Sequence, residues 1–316
     1  MEYRRLGDSE LQVSEICLGT WTTFGESVAD DVAVTIVDAA FDVGINFFDT
    51  ANVYGVPAGR SEEALGRALA GRPRETFVVA TKVCGQMPNG ERGLSRAQVL
   101  KQIDDSLRRL QLDHVDLYQC HRYDEDVPLE ETLGALTEVV DAGRVRFIGV
   151  SNWNGEQIRR AVALARKHSF AKIVSSQPQY SLLHRDPEED VIPASRENGI
   201  SQIPWSPLAQ GVLSGKYRLG ASWDEGTRAA ARGDGFMSQY LGDDVLERVD
   251  RLRPIADGLG ITMAQLALAW LLGDRNVASP IVGASRPDQV RDNAAASGVA
   301  LDEATLRAIE GAVVQA

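Results

Sequence analysis

Short apolar runs alternate with helix-period segments along most of the chain, and this alternation constrains the fold more than any other feature of the sequence. Eight runs read as strands: Ile16 to Gly19, Phe47 to Thr50, Phe77 to Val83, Val115 to Gln119, Phe147 to Ser151, Ile173 to Gln177, Ser201 to Trp205, and Pro280 to Gly283. Helix punctuation lies between them. One helix runs from about Ala29 to Val43 and stops at Gly44. Another opens at Ser61 with Glu62 and Glu63 in its first turn, where carboxylates suit the dipole, and closes near Gly71 and Pro73. Ser95 with Gln98 reads as a capping box for a helix ending around Leu112. Pro128 to Ala142 is closed by Gly143, and Asn154 with Gln157 opens a helix to about Lys167. Such repeats imply a parallel sheet, and eight of them close into a single (β/α)8 TIM barrel spanning residues 1–316. An open doubly wound sheet would need a glycine fingerprint after its first strand, and Gly19-Thr20-Trp21 supplies none.

Three segments depart from the plain repeat. Residues 1–15 alternate around Gly7-Asp8-Ser9, which reads as an N-terminal β-hairpin plugging the lower end of the barrel. Residues 211–239, with Trp223, Asp224 and Glu225, make a loop long enough to serve as a lid or binding loop. Residues 287–316 hold two helices, Pro287 to Ala296 and Asp302 to Val314, where one would complete the repeat. A short extra helix at that place is where barrels often bind phosphate.

Charge narrows the function classes. A net charge of -12 argues against a nucleic-acid surface, which needs clustered Lys and Arg. No long uncharged apolar run suggests a membrane span, and Met1-Glu2-Tyr3-Arg4-Arg5 lacks the apolar core of a secretory signal. Cys17, Cys84 and Cys120 lie far apart in apolar runs, as reduced thiols of a cytoplasmic protein would. None has zinc-like spacing to a histidine, so no metal site is expected.

Three consecutive strands end in groups with chemistry: Asp49, Lys82 and His121, with Tyr54 in the loop above the first. The carboxyl ends of barrel strands share one mouth, so the four should converge there. A phenol titrates near ~10 when unperturbed, and a neighbouring ammonium favours its ionised form. A lysine closing a run as apolar as Phe77-Val78-Val79-Ala80 needs an ionic partner if buried, and Asp49 is the candidate.

The chain resembles the aldo-keto reductases along nearly its whole length. The matching stretches are Phe48-Asp49-Thr50-Ala51 with Tyr54-Gly55, Ala80-Thr81-Lys82, His121, Gly149-Val150-Ser151-Asn152, Gln177-Pro178-Gln179-Tyr180, Trp205-Ser206-Pro207-Leu208-Ala209-Gln210-Gly211, and Pro280-Ile281-Val282-Gly283-Ala284-Ser285-Arg286. The resemblance implies NADPH bound across the mouth of a (β/α)8 barrel and reduction of aldehydes or ketones, or the reverse oxidation of alcohols.

On that resemblance the residues take roles. Tyr54 is the general acid, Lys82 with Asp49 lowers its pKa, and His121 helps hold the carbonyl. Ser151, Asn152 and Gln177 would fix the nicotinamide carboxamide and Trp205 would stack on the ring, and Thr20 and Trp21 are further expected cofactor contacts. Ser206, Pro207, Leu208, Gln210, Gly211 and Lys216 would meet the pyrophosphate. Gly283, Ser285 and Arg286 would bind the 2'-phosphate at a helix start, and Gln289, Asp292 and Asn293 would face the adenosine.

Arg122-Tyr123-Asp124 stands where the monomeric sugar and steroid reductases have Trp-Pro, and Gly283-Ala284-Ser285-Arg286 where they have a Lys-Ser pair. The chain is similar instead to the branch of potassium-channel β subunits and many bacterial reductases. Trp21, Phe24, Tyr54, His121, Tyr123 and Trp153 are then the expected substrate pocket for a small carbonyl compound. The branch implies a second reading, an NADP(H)-sensing subunit with slow turnover, and it is compatible with a homo-oligomer. A third reading, from the residues alone, is a barrel isomerase or aldolase with Lys82 as Schiff-base amine.

Overall fold

The computed structural model describes residues 1–218 and 237–313. Strands β1 (Tyr3–Arg5) and β2 (Gln12–Ser14) pair antiparallel as the expected hairpin. Its turn holds Gly7 at φ 52°, where a Cβ would lie 2.2 Å from the Val174 carbonyl oxygen, so only glycine lets the turn pack against the barrel floor. Eight parallel strands follow: β3 (Cys17–Gly19), β4 (Phe47–Asp49), β5 (Val78–Val83), β6 (Val115–Cys120), β7 (Val145–Ser151), β8 (Ile173–Gln177), β9 (Ser201–Gln202) and β10 (Ile281–Gly283). They pair in the order β10-β3-β4-β5-β6-β7-β8-β9. The ring closes beyond the short β9, where Ile281 N donates to Pro204 O at 2.9 Å and Ala278 N to Gln202 O at 2.8 Å. This is the (β/α)8 barrel the repeats predict, and every expected strand matches an observed one.

Helices α1 (Asp30–Asp42), α2 (Arg60–Leu69), α3 (Arg96–Leu110), α4 (Leu129–Asp141) and α5 (Gly155–His168) occupy the expected segments. Asn154 and Gln157 form the full reciprocal capping box. At Ser95 only one half forms, its side chain accepting from Gln98 N, and α3 ends two residues early because Gln111 turns left-handed at φ 58°. Four further helices precede β10: α6 (Val191–Arg196), α7 (Asp243–Asp250), α8 (Arg253–Leu259), with Pro254 in its first turn and Gly260 after its end, and α9 (Met263–Gly273), opened by a full Thr262/Gln265 capping box. Two C-terminal helices follow β10, α10 (Pro287–Ala294) and α11 (Glu303–Val313). Within the 211–239 loop, Trp223, Asp224 and Glu225 lie outside the described residues. Its described residues Val212, Leu213, Tyr217 and Met237, with Tyr240 just beyond, are buried against α7, α8 and α9.

Side-chain alternation sets the inside of the barrel. Phe47 faces in and Phe48 out; Ala80 faces in and Val79 out; Leu117 faces in and Tyr118 out. Leu6, Leu11 and Val13 of the hairpin pack on the inward apolar set with Val174, Ile203 and Ile281, closing the floor. Two residues further along β4, β5 and β6, the same inward positions are Asp49, Lys82 and Gln119. An oily layer therefore carries a polar layer at the mouth, and both are sealed from water by the strands themselves.

Candidate active site

The polar layer is knit by hydrogen bonds. Lys82 Nζ donates to Asp49 Oδ1 at 2.5 Å and to the Thr50 carbonyl at 2.8 Å. The second oxygen, Asp49 Oδ2, accepts from Gln177 Nε2 at 3.0 Å and from Gln119 Nε2 at 3.2 Å. Lys82 is 0% exposed and Asp49 3%. A buried ion pair is tolerated when its remaining lone pairs and protons are satisfied, as they are here.

The loop after β4 is shaped to hold Tyr54 over this layer. The Tyr54 carbonyl accepts from Gly59 N at 3.1 Å and Ser61 N at 3.2 Å, so the residue sits against the start of α2. Gly55 follows at φ 88°, with Ser61 N only 2.6 Å from where a Cβ would stand. The ring lies with its centroid 4.9 Å from Lys82 Nζ, and its hydroxyl 3.3 Å from His121 Nε2. His121 is fixed by its own backbone, its N–H donating to the Val83 carbonyl at 2.8 Å.

Electrostatics give each group a defined proton. Burial would depress the Lys82 ammonium, but the Asp49 carboxylate and the Tyr54 phenol outweigh it, and Lys82 is held above its ordinary value and charged. Burial pushes the Tyr54 phenol up; Lys82 pulls it down, Asp49 pushes it up further, and the balance stays above the ordinary phenol range. The ammonium thus acts in the expected direction, yet it does not bring the phenol near neutrality, because desolvation is the larger effect. Tyr54 is a protonated donor at neutral pH. Burial, with the Lys82 and Arg122 cations behind it, drops His121 to about 3, so the imidazole is neutral. A buried, charged and ion-paired Lys82 also overturns the Schiff-base reading, which needs a neutral, accessible amine.

Residues from β7 onward form the other half of the mouth. Ser151 Oγ donates to the Gln177 carbonyl at 2.9 Å, and Asn152 Nδ2 donates to Ser151 Oγ at 3.0 Å and to the His121 carbonyl at 3.2 Å. Trp205 Nε1 donates to Asn152 Oδ1 at 3.0 Å. Trp21 packs edge-on against Trp205, centroids 6.1 Å apart, and tilted against Tyr54 at 6.3 Å. Beyond β9 the chain turns through left-handed Ser206, Ala209, Gln210 and Gly211, and Gln210 Nε2 bonds Ser206 Oγ. The exposed Lys216 packs on Gly211, its Nζ 3.2 Å from where a Cβ would be. Exposed Arg286 caps α10 ahead of Pro287, and Gln289 Oε1 accepts from Ser285 N at 2.8 Å.

The family model described as Aldo/keto reductase family matches residues 15–313. The chain belongs to the aldo/keto reductase family. It is 40% identical over 298 residues to a probable voltage-gated potassium channel subunit beta of Arabidopsis thaliana, covering 93% of this chain and 90% of that protein. A protein of the same description from Oryza sativa subsp. japonica is 39% identical, with the same coverage. The uncharacterized oxidoreductase YrpG of Bacillus subtilis (strain 168) is 39% identical over 317 residues, 97% of this chain and 94% of that protein. The resemblance read from the motifs, including its branch, is thus the family found.

Several expected site residues of this aldo/keto reductase are spent inside the fold. Phe24 is 0% exposed and Trp153 2%, both in the layer between strands and helices, so neither presents a pocket wall. Trp153 instead supports Tyr123, edge-on at 4.8 Å. Thr20 is buried, its hydroxyl accepting from Ser61 Oγ at 2.7 Å and spending its one proton on the Asp49 carbonyl at 3.2 Å, so it has no donor for a cofactor and no exposed surface to meet one. Pro207 and Asn293 are buried, Leu208 half-buried, and Gly283 is exposed at the end of β10. The Asp292 carboxylate is engaged by Gln265 Nε2 at 2.7 Å, tying α10 to α9. Gln119, missed from the sequence, stands within the polar layer. Its signal was an amide at an inward-facing position of β6 whose other inward positions, Val115 and Leu117, are apolar.

Proposed function

We propose that this chain is a cytoplasmic, NADPH-dependent oxidoreductase that reduces small aldehydes and ketones to alcohols. The observation that carries the reading is the protonated Tyr54 phenol, 3.3 Å from a neutral His121 and directly above the Lys82–Asp49 pair. A carbonyl oxygen placed against Tyr54 Oη and His121 Nε2 meets a proton donor within hydrogen-bond reach, as general acid catalysis requires. As negative charge grows on that oxygen, Tyr54 gives up its proton, and the fixed Lys82 ammonium stabilises the phenolate left behind. The neutral imidazole, donating or accepting according to tautomer, orients the carbonyl without competing as an acid. Free cysteines in apolar surroundings suit a reducing compartment.

The residues around the mouth fit NADPH. Gln177 Nε2 spends both protons, on Asp49 Oδ2 and on Gln119 Oε1, so the side chain offers a ligand only its carbonyl. That acceptor, next to Ser151 and Asn152, matches a carboxamide N–H. Trp205, half-buried and held by Asn152, presents a flat face beside them. The left-handed turn at Ser206 to Gly211 with Lys216 suits a pyrophosphate, and Arg286 at the start of α10 suits a 2'-phosphate. When bound, NADPH supplies the hydride to the carbonyl carbon. Loss of NADPH absorbance with a panel of aromatic and aliphatic aldehydes and simple ketones tests the reading; absence of turnover across the panel defeats it. The relatives described as potassium channel β subunits favour one second reading, a subunit that binds NADPH tightly and turns over slowly or not at all. Tight binding without turnover in the same experiment selects it.

A further inference from the structure

Gln119 lies at the inward position of β6 two residues before His121, and it is 0% exposed. The residues below it in the barrel are apolar, so packing alone asks only for bulk at this place. A buried amide is costly unless both its ends are bonded. Here both are: Nε2 donates to Asp49 Oδ2 at 3.2 Å, and Oε1 accepts from Gln177 Nε2 at 3.3 Å. The carboxylate can only accept, which fixes the nitrogen end of both glutamines toward it.

We propose that Gln119 is a positioning residue of the reductase site: it turns Asp49 so that Oδ1 alone serves Lys82, and it locks Gln177 with its carbonyl away from the carboxylate. This rests on the function proposed above. Charge on Asp49 works against ionisation of Tyr54, whereas charge on Lys82 favours it. Amide donors on Oδ2 spread the carboxylate's charge and leave the ammonium less neutralised. Removing one therefore makes Tyr54 hold its proton more tightly. The charged and titratable groups facing Tyr54 are Lys82, Asp49, His121 and Arg122, and of these Gln119 bonds only Asp49, so the substitution reaches the phenol through that carboxylate.

The test is Gln119→Met, which keeps the volume and loses both bonds, beside Gln119→Glu, whose buried carboxyl shares a proton with Asp49 and so keeps an O–H donor on Oδ2. In alcohol oxidation with NADP+, where the Tyr54 phenolate takes the proton, the midpoint of the rise in kcat/KM with pH should move upward by ~1 unit for the first variant and stay near wild type for the second, which keeps the donor. NADPH affinity by fluorescence titration should change far less. Tyrosinate absorbance, recorded as wild type minus Tyr54→Phe, reads the same phenol without any turnover and should follow the same midpoint in each variant. That keeps this proposal separate from the reductase reading, which fails if the wild type does not turn over. Unchanged midpoints in both readouts for Gln119→Met, with activity falling only as folded protein is lost, would overturn the role. Should Gln119→Met not fold, Gln119→Leu, which also removes both bonds, decides by the same criterion.

Discussion

The Tyr54 hydroxyl stands 3.3 Å from Nε2 of His121, though 67 positions separate the two residues in the chain. Neither is charged at neutral pH, because burial raises one and lowers the other. The pair can therefore pass a proton to a bound oxygen without first losing one to water. Tyr54→Phe removes the donor and keeps the ring over Lys82. Reduction should fall by about 10²- to 10⁴-fold while NADPH binding, read by fluorescence, is retained. Loss of both together would make Tyr54 a structural residue.

Lys82 and Asp49 should show the asymmetry of a buried ion pair. Lys82→Met leaves the 3%-exposed Asp49 carboxylate facing an apolar group, which should cost about 3–5 kcal/mol in urea unfolding. Adding Asp49→Asn removes the orphaned charge and should restore much of that stability. Activity should stay lost in the double variant, since no ammonium remains beneath Tyr54. A double variant no more stable than Lys82→Met would contradict the pair as drawn.

His121 sets an acid limit. Its folded-state value of about 3 lies below the unfolded imidazole near ~6.5, so between these pH values the unfolded chain binds a proton that the folded one refuses. The contribution is fully present above ~6.5 and is lost as pH falls toward 3. His121→Gln should then lose less stability than wild type between pH 7 and pH 4, by roughly a few kcal/mol at the lower end, measured by thermal or urea unfolding. Parallel acid sensitivity in the two proteins would place the imidazole in a wetter setting than this one.

Arg286 should decide between cofactors. Arg286→Ala should weaken NADPH by ~10- to 100-fold and leave NADH within a few-fold, since only the former carries the phosphate a guanidinium fork would grip. Equal weakening of both would put the 2'-phosphate elsewhere.

Much of this was legible in the residues because strands of a parallel barrel announce their ends. Phe47-Phe48-Asp49 and Ala80-Thr81-Lys82 each break from apolar to charged where the strand meets the mouth, and the break fixed both side chains to one layer. What was hidden depended on side-chain direction and on summed electrostatics. Phe24 and Trp153 sit in loops near the mouth but point outward into the layer beneath the helices, and an aromatic letter in a loop says nothing of its direction. Thr20 looked like a mouth hydroxyl because its partner Ser61, forty-one residues away, is invisible in local spacing. The phenol's net shift needs the burial of Tyr54 as well as its cation, and only the first neighbour could be guessed. Helix α9 shows no amphipathic period because it is apolar almost all round, as a helix packed on several sides must be, although Thr262 and Gln265 mark its start as a capping box.

The ammonium, the carboxylate and the two amides all belong to strands, sunk one level beneath the rim and braced by an oily floor. The rim at Trp21 and Tyr123 is made of loops that contribute no atom to that buried set. Guests of quite different outline can thus be accommodated by redrawing the doorway while the machinery under it stays untouched, and such a chain is free to change what it admits without relearning how to move a proton.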